Sequence, residues 1–523
     1  GYSYLRERGT HDMGQPMAEG ADGIYRPLLE YGVPGYSRKT SYIRDSDVND
    51  TDVHNVTAAF SHDMGNGWTL TNDTRLSYFK RERALSTPST IPYLGAVNGD
   101  GEYRGGLSDL LDGDDIIRDY GAGGGINYKQ EGWGIQNVLA ARGEFQTGSI
   151  THEAMIGFDM SYQEDKRRRG TTSRGDTHWV VNPAYHRADY GPLTYNNPSE
   201  RSTAFNAALF ASDRMSFGNG WTVAGAMRLD HFKNSINNNQ YGFQTDEAGD
   251  LVLDDDGNPI PRNARSDGSA SRLSPSISFI YEPNPDLMGY LTFARTYRPQ
   301  GTDIVMSPNM LDSQRPGSLK PERADLIELG GKMNLMDGRV GLTGAIFQIT
   351  KNNSYDVGDP DDVGFGDAGQ GRRIRGIEIG ASGEITDAWS VYANYAYLDG
   401  KVRGGPGVSD DIIGNRAPGV PRNNASIWTS YVLPQSGVSI PGEVTLAGGI
   451  RYAAKYFSNA DNTAQIPETF SLDAMISYEQ NDWRLALNAY NLTDHQNYSS
   501  TFSSSRAVPD SGRTFVVSVS KRF

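Results

Sequence analysis

Apolar and polar positions alternate with a period of two through most of this chain. Between Trp483 and Tyr490, the apolar Trp483, Leu485, Leu487 and Ala489 interleave with Arg484, Asn488 and Tyr490. Trp221, Val223, Met227 and Leu229 oppose Thr222, Arg228 and Asp230 in the same way, and Trp389, Val391, Ala393, Tyr395 and Tyr397 repeat the pattern. Such a period places successive side chains on opposite faces of a β-strand. Alternation and turn signals together predict about 18 strands, near 1–8, 53–63, 67–81, 134–148, 150–166, 203–217, 220–234, 270–283, 287–298, 322–335, 338–351, 373–385, 388–402, 421–433, 442–456, 467–480, 483–497 and 512–523. Their connections alternate between short turns, such as Met336-Asp337-Gly338, and long polar segments near 9–52, 82–133, 168–202 and 235–269.

One small unit recurs at the short turns. It reads Gly65-Asn66-Gly67-Trp68, Gly218-Asn219-Gly220-Trp221, Thr386-Asp387-Ala388-Trp389 and Gln480-Asn481-Asp482-Trp483. Gly, Asn and Asp supply the positive φ angles of a tight hairpin. Four of the seven Trp sit at this one point, as in an aromatic belt where a membrane meets water. The last segment, from Thr514 onward, carries Phe515, Val517, Val519 and Phe523 on one face and Ser518, Ser520 and Arg522 on the other. That is the pattern of the last strand of a bacterial outer-membrane β-barrel, apolar toward lipid and polar toward the lumen. The fold class is therefore all-β, an antiparallel transmembrane β-barrel over 1–523, located in the bacterial outer membrane.

Composition agrees with this reading. Mean hydropathy is -0.57, and no apolar run is long enough for a transmembrane helix, yet a barrel whose polar half faces water tolerates both. The 29 Tyr suit strands and belts, and the 61 Gly suit turns. With no Cys, disulfides and thiolate chemistry are excluded. A net charge of -15 argues against nucleic acid as a partner. No signal peptide opens the chain, and Gly1-Tyr2-Ser3-Tyr4-Leu5-Arg6 reads as the middle of a strand, as if the N-terminus were processed or missing. Catalytic signals are poor: His152-Glu153 lacks a second His at metalloprotease spacing, and no Gly-x-Ser-x-Gly elbow occurs. The acidic runs at Asp112–Asp115, Asp254–Asp256 and Asp359–Asp362 lack the ligand spacing of a calcium loop. No enzyme, resident metal or bound cofactor is expected.

Several segments resemble the barrel of TonB-dependent outer-membrane receptors. These are Thr296-Tyr297-Arg298-Pro299-Gln300, Leu319-Lys320-Pro321-Glu322 leading to Glu328-Leu329-Gly330, Arg375-Gly376-Ile377-Glu378, and Asn488-Ala489-Tyr490-Asn491-Leu492-Thr493-Asp494. In the first half Glu30-Tyr31-Gly32-Val33-Pro34, Leu70-Thr71-Asn72-Asp73-Thr74-Arg75 and Thr147-Gly148-Ser149-Ile150-Thr151-His152 are similar to the ferric-siderophore branch. The resemblance implies an importer of a ferric siderophore, energised by the TonB-ExbB-ExbD complex and acting as a monomer. It further implies a TonB box, a plug domain and a twenty-two-stranded barrel. Neither box nor plug is visible, so the chain reads as a C-terminal portion whose strand 1–8 is the family's fifth.

For an anionic or aromatic-faced chelate, the loop after Lys166 fits best. It offers Arg167, Arg168, Arg169, Arg174, His178, Trp179, Tyr185, Tyr190 and Tyr195, which combine positive charge with ring faces. The alternative is that this loop is simply solvated, or touches lipopolysaccharide and outer-membrane lipid. Two other functions stay open: a passive porin-type channel of 18 strands, and a same-family receptor for a cobalamin, sugar or aromatic nutrient. The porin requires residues 1–8 and 512–523 to pair and close the ring; the truncated receptor leaves both edges without each other.

Overall fold

The computed structural model describes residues 1–523 apart from 11, 45–46, 99–100, 120–125, 172–176, 184–193, 196–199, 239–263, 299–319, 355–369, 406–408, 435–440, 503 and 523. Among the described residues eighteen strands of 6 or more residues form one antiparallel sheet, each paired with the next of them in sequence. They are β1 (Tyr2–Glu7), β2 (Val48–Gly65), β3 (Trp68–Leu85), β4 (Ile126–Thr147), β5 (Ile150–Thr171) and β6 (Glu200–Gly218). Then come β7 (Trp221–Asn238), β8 (Ala264–Asn284), β9 (Leu287–Arg298), β10 (Glu322–Leu335), β11 (Val340–Ser354) and β12 (Gln370–Thr386). The last six are β13 (Trp389–Arg403), β14 (Asn423–Val432), β15 (Glu443–Ala453), β16 (Thr469–Gln480), β17 (Trp483–Tyr490) and β18 (Thr514–Lys521). Each coincides with one expected from alternation, in the same order. Among the described residues no helix is long and apolar enough to cross a membrane, and one short α-helix, α1 (Leu107–Asp112), stands in a long connection.

The two ends of the sheet differ. Asn66 and Gly67, and again Asn219 and Gly220, take positive φ in the two-residue turns that close β2–β3 and β6–β7. Trp68, Trp221, Trp389 and Trp483 each open the strand behind a short turn, so all four stand at one end of the sheet. Trp221 and Trp483 are about half exposed there, at 52% and 53%. The Trp68 ring lies flat over Gly143 on the neighbouring strand, where any Cβ would collide with the indole. Along the strands the apolar set stays on one face: Leu76, Ile135, Ile156, Leu209, Leu229 and Leu485 are all exposed. The opposite face carries charged pairs such as Arg228 with Asp159 at 2.9 Å and Arg451 with Asp473 at 3.3 Å.

Two parts of the sheet differ in length from the sequence expectation. Strands β2 to β5 run well past the expected ends; β4 begins at Ile126 rather than 134. Both faces are polar there, so hydropathy loses its contrast while backbone pairing continues. Conversely, β17 stops at Tyr490 instead of 497. Asn491 turns to φ +48°, its side chain bonds the backbone N–H and C=O of His495 at 2.9 Å each, and its own N–H donates to Asp473 at 2.8 Å. Asp494 then accepts the Arg513 N–H at 2.9 Å, which holds its carboxyl below the usual range and seats the start of β18.

The packed apolar core lies in the connections, which the sequence presents as polar. One cluster joins Ala18, Leu28, Ile91, Leu107, Leu110 and Val180 from three separate connections; a second joins Met17, Ala464, Ile466, Tyr498 and Ala507. A small sheet of residues 15–19, 25–27, 498–502 and 506–509 carries both. The connections after β1 and after β17 interlock through it, with Tyr498 donating to Glu30 at 2.6 Å and Arg38 paired with Asp494 at 3.1 Å. Among the described residues β1 pairs only with β2, and β18 only with β17.

Candidate functional site: the rim of the polar face

At the end bearing the long connections, β2 to β5 present a row of polar-face residues beneath the first connection. Arg81, Gln130 and Arg167 stand opposite one another across β3, β4 and β5. Arg83 and Tyr128 form the next row, with Arg169 opposite Tyr128 in backbone register. Strand spacing puts Arg81 and Arg167 about 10 Å apart at the backbone. Arg167 is buried, and its guanidinium lies 4.2 Å from the centre of the Tyr128 ring. Arg81 donates to Asn49 at 2.8 and 3.1 Å, Gln130 donates to Asp165 at 2.8 Å, and Arg83 reaches the Met13 sulfur at 3.4 Å. Guanidinium planes over a ring are a cation–π arrangement. Tyr128 is itself buried beneath Arg167, so what the row offers a negatively charged ligand is concentrated positive charge.

The residues expected from sequence are dispersed by this geometry. Arg167 belongs to the polar-face row. Arg168 takes the opposite face of β5, where its neighbour in register is Lys129. Trp179 ends a short strand, Thr177–Trp179, that pairs with Ile117–Asp119 in the connection layer, and its ring is exposed. Arg174, Tyr185 and Tyr190 lie outside the described residues, as does the side chain of Tyr195. Arg81, Tyr128 and Gln130 were not expected. Carrying the alternation of β4 back from Gln136 through Gly134 and Gly132 would have put Gln130 and Tyr128 on the polar face.

His178, beside Trp179, turns inward. Its ring packs 4.6 Å from that of Tyr42, and its Nδ1 donates to the Trp179 carbonyl at 3.1 Å. Burial, with nearby Arg44 and Arg118, pushes the imidazole down to about 4. The docked layer thus holds His178 neutral, whereas a detached layer would protonate it near 6.5. Protons therefore bind the detached form more strongly. Docking should be strongest above pH 6.5 and weaken as pH falls toward 4, by on the order of 3 kcal/mol in all. Amide exchange at Val180, whose N–H donates to Ile116 at 3.0 Å, should accelerate across that window in the native protein. His178→Gln should flatten the dependence; an unchanged slope would place the titrating group elsewhere.

The model of the TonB-dependent receptor-like β-barrel family matches residues 1–492. The chain belongs to that family. The probable TonB-dependent receptor BfrD of Bordetella pertussis is 27% identical over 509 residues, covering 92% of this chain and 62% of BfrD. The probable TonB-dependent siderophore receptor PiuA of Acinetobacter baumannii is 24% identical, over 100% of this chain and 67% of its own. The chain thus spans about two thirds of the length of these relatives. Among solved structures, the closed form of the ferric-catecholate import receptor Fiu from Escherichia coli K12 superposes with a TM-score of 0.78 at 20% identity, over 100% of this chain and 71% of that one. The siderophore receptor PiuA superposes with 0.74 at 21% identity, over 99% of this chain and 70% of that one. The sheet is accordingly the wall of a TonB-dependent barrel, with the apolar face outside and the polar face toward the lumen.

Proposed function

We propose that this chain is the barrel portion of an outer-membrane receptor that captures a ferric siderophore at its outer mouth and imports it with energy from the TonB system. The observation that carries the reading is the lumen-side row of Arg81, Gln130 and Arg167 with Tyr128 beneath the connection layer. An iron complex of catecholate type is negatively charged, and this row complements that charge. Iron is cargo here, and the work is binding and release, with no covalent step. The family resemblance and the names of relatives such as PiuA and Fiu support the same class of ligand.

The edges of the wall favour a receptor over a porin. A porin-type ring requires a ladder between Tyr2–Glu7 and Thr514–Lys521, and the pairing of both strands runs only to their other neighbours. The outer edge of β2 from Ala58 to Gly65 and the edge of β18 would present unpaired N–H and C=O groups to lipid, where each costs several kcal/mol. Further strands filling this gap, and a plug that occupies the lumen and reaches TonB-ExbB-ExbD, complete the proposal, with the receptor acting as a monomer among lipopolysaccharide and other outer-membrane lipid. Radio-iron uptake by whole cells tests it. Cells supplied with the ferric catecholate should lose uptake when the gene is deleted and also when TonB is absent. Uptake that persists without TonB would favour passive diffusion.

A further inference from the structure

Toward the outer end of β10 to β13 the lumen face changes character. On β3, β4, β5, β7 and β16 that face carries charge or amide groups, at Arg75, Gln136, Asp159, Arg228 and Asp473. On β10 to β13 one row in register reads Leu326, Ile349, Ile374 and Gly400. The row below it reads Glu328, Phe347, Gly376 and Leu398. Their neighbours in sequence Ile327, Ile346 and Ile377 are exposed on the lipid side, so these strands are apolar on both faces at one level. The Phe347 ring lies across Gly376, where any Cβ would collide with it and meet Leu398 at 3.0 Å. Ala417 and Val420, from the connection before β14, close over Gly400, where a Cβ would lie 3.1 Å from each. Leu326, Phe347, Ile349, Ile374 and Leu398 are only half-buried among the described residues.

Toward the mouth the next rows turn cationic. Lys351 and Arg372 are neighbours in register, Arg298 stands opposite Glu322, and Lys351 reaches Glu322 at 2.7 Å. Three cations against one buried carboxylate leave these rows net positive. A barrel lumen is ordinarily polar, and an apolar patch rimmed by charge marks a place where a ligand's apolar surface is taken out of water. Size narrows the choice of occupant. Leu326 and Ile374 lie two strand spacings apart, about 10 Å, and the two rows are separated by about 7 Å. In one direction that is well short of the 10–12 Å breadth of a helix with its side chains, roughly the room one extended hydrocarbon chain needs. The patch is aliphatic but for Phe347, which suits an acyl chain better than a stacked ring. Cations at one end then fix the direction of a molecule with an anionic head.

We infer that the chelate this receptor takes carries an acyl chain, which lies over Leu326, Ile349, Ile374, Phe347 and Leu398 while the anionic head occupies the mouth beside Lys351 and Arg372. The inference rests on the ferric-chelate reading above and adds the apolar part of the ligand. Full-length receptor in lipid nanodiscs is titrated with a ferric tris-catecholate and with the same chelate bearing a medium-length acyl chain, binding to empty discs being subtracted. The native receptor should bind the acylated chelate at least about tenfold more tightly, as burial of about two methylenes gives. Leu326→Ser with Ile374→Ser should abolish that gain and leave affinity for the parent chelate unchanged. Each single variant should give a partial loss if the double variant fails the heat-mobility test of a folded barrel. Ile327→Ser, next to Leu326 but on the lipid side, should keep the whole gain. Equal affinity of the native receptor for both chelates would overturn the inference, and so would a gain that survives in the double variant. A double variant that loses both chelates alike would overturn it too, by assigning the patch to the receptor's own packing. Binding of the acylated chelate alone, sensitive to the double variant, would refute the catecholate reading and uphold the patch; binding of neither would refute both.

Discussion

Replacing Ile91 by Asp should release the connection layer while leaving the barrel wall intact. Ile91 is fully buried among Ala18, Leu28, Leu107 and Val180, and its backbone joins the layer by bonds to Met17 at 3.0 Å and Glu19 at 2.8 Å. A carboxyl group there loses the apolar contacts, worth about 2–5 kcal/mol for a buried Ile. It also meets the desolvation cost of a polar group without partners, roughly 1–3 kcal/mol more. The 18 wall strands draw their pairing from one another and share no residue with this cluster. Limited proteolysis should therefore cut near residues 9–47 and 86–119 in the variant and spare the strands, and ferric-chelate affinity should fall at least about tenfold because Met13 of that layer no longer seats Arg83 beside Tyr128. Connections that stay resistant to protease would show that the apolar clusters do not hold the layer.

Leu209→Arg should be as damaging for a different reason. Leu209 lies on the outer face of β6, 58% exposed, between Phe158 and Leu229 in register. In water such a substitution would be almost neutral. In the middle of a bilayer an Arg on a barrel's lipid face costs about 2–4 kcal/mol. Unfolding in phospholipid vesicles should register that loss, with reduced recovery of folded protein from the outer membrane. Unchanged stability would mean that this face does not meet lipid.

Much of the wall was legible because two signals coincide in it. Short turns of Gly, Asn and Asp mark strand ends, and a Trp behind four of them marks which end. The hairpin around Gly148 shows how such a motif acts: Gly148 takes φ +64°, Thr147 bonds His152 at 2.8 Å, and the His152 ring stacks on Phe145 at 4.6 Å and reaches Asp213 at 2.7 Å. Those residues are near in sequence or one strand apart, so spacing alone can suggest them. The connection layer was hidden for the opposite reason. Ala18, Ile91 and Val180 sit in apolar stretches of one to three residues within polar segments, and only the strands that carry their separate connections bring them together. The site was half hidden. Arg167 and Arg168 are adjacent in sequence and were expected to act together, yet strand β5 continues through both, so the alternation sends them to opposite sides of the wall. Residues 166–171 looked like a loop because neither face is apolar there. Tyr128 and Gln130 were hidden by the same loss of contrast at the start of β4.

That split gives the most direct test. The dissociation constant of purified full-length receptor for a ferric tris-catecholate is measured for native protein, Arg167→Gln and Arg168→Gln at low and at physiological salt. The lumen-facing Arg167 should carry the effect: its variant should bind at least about tenfold more weakly, with a smaller salt dependence than the native protein. Arg168→Gln, altered on the outer wall, should bind nearly as the native protein does. No saturable binding by the native receptor, or an equal loss in both variants, would contradict a lumen-side chelate site at this rim.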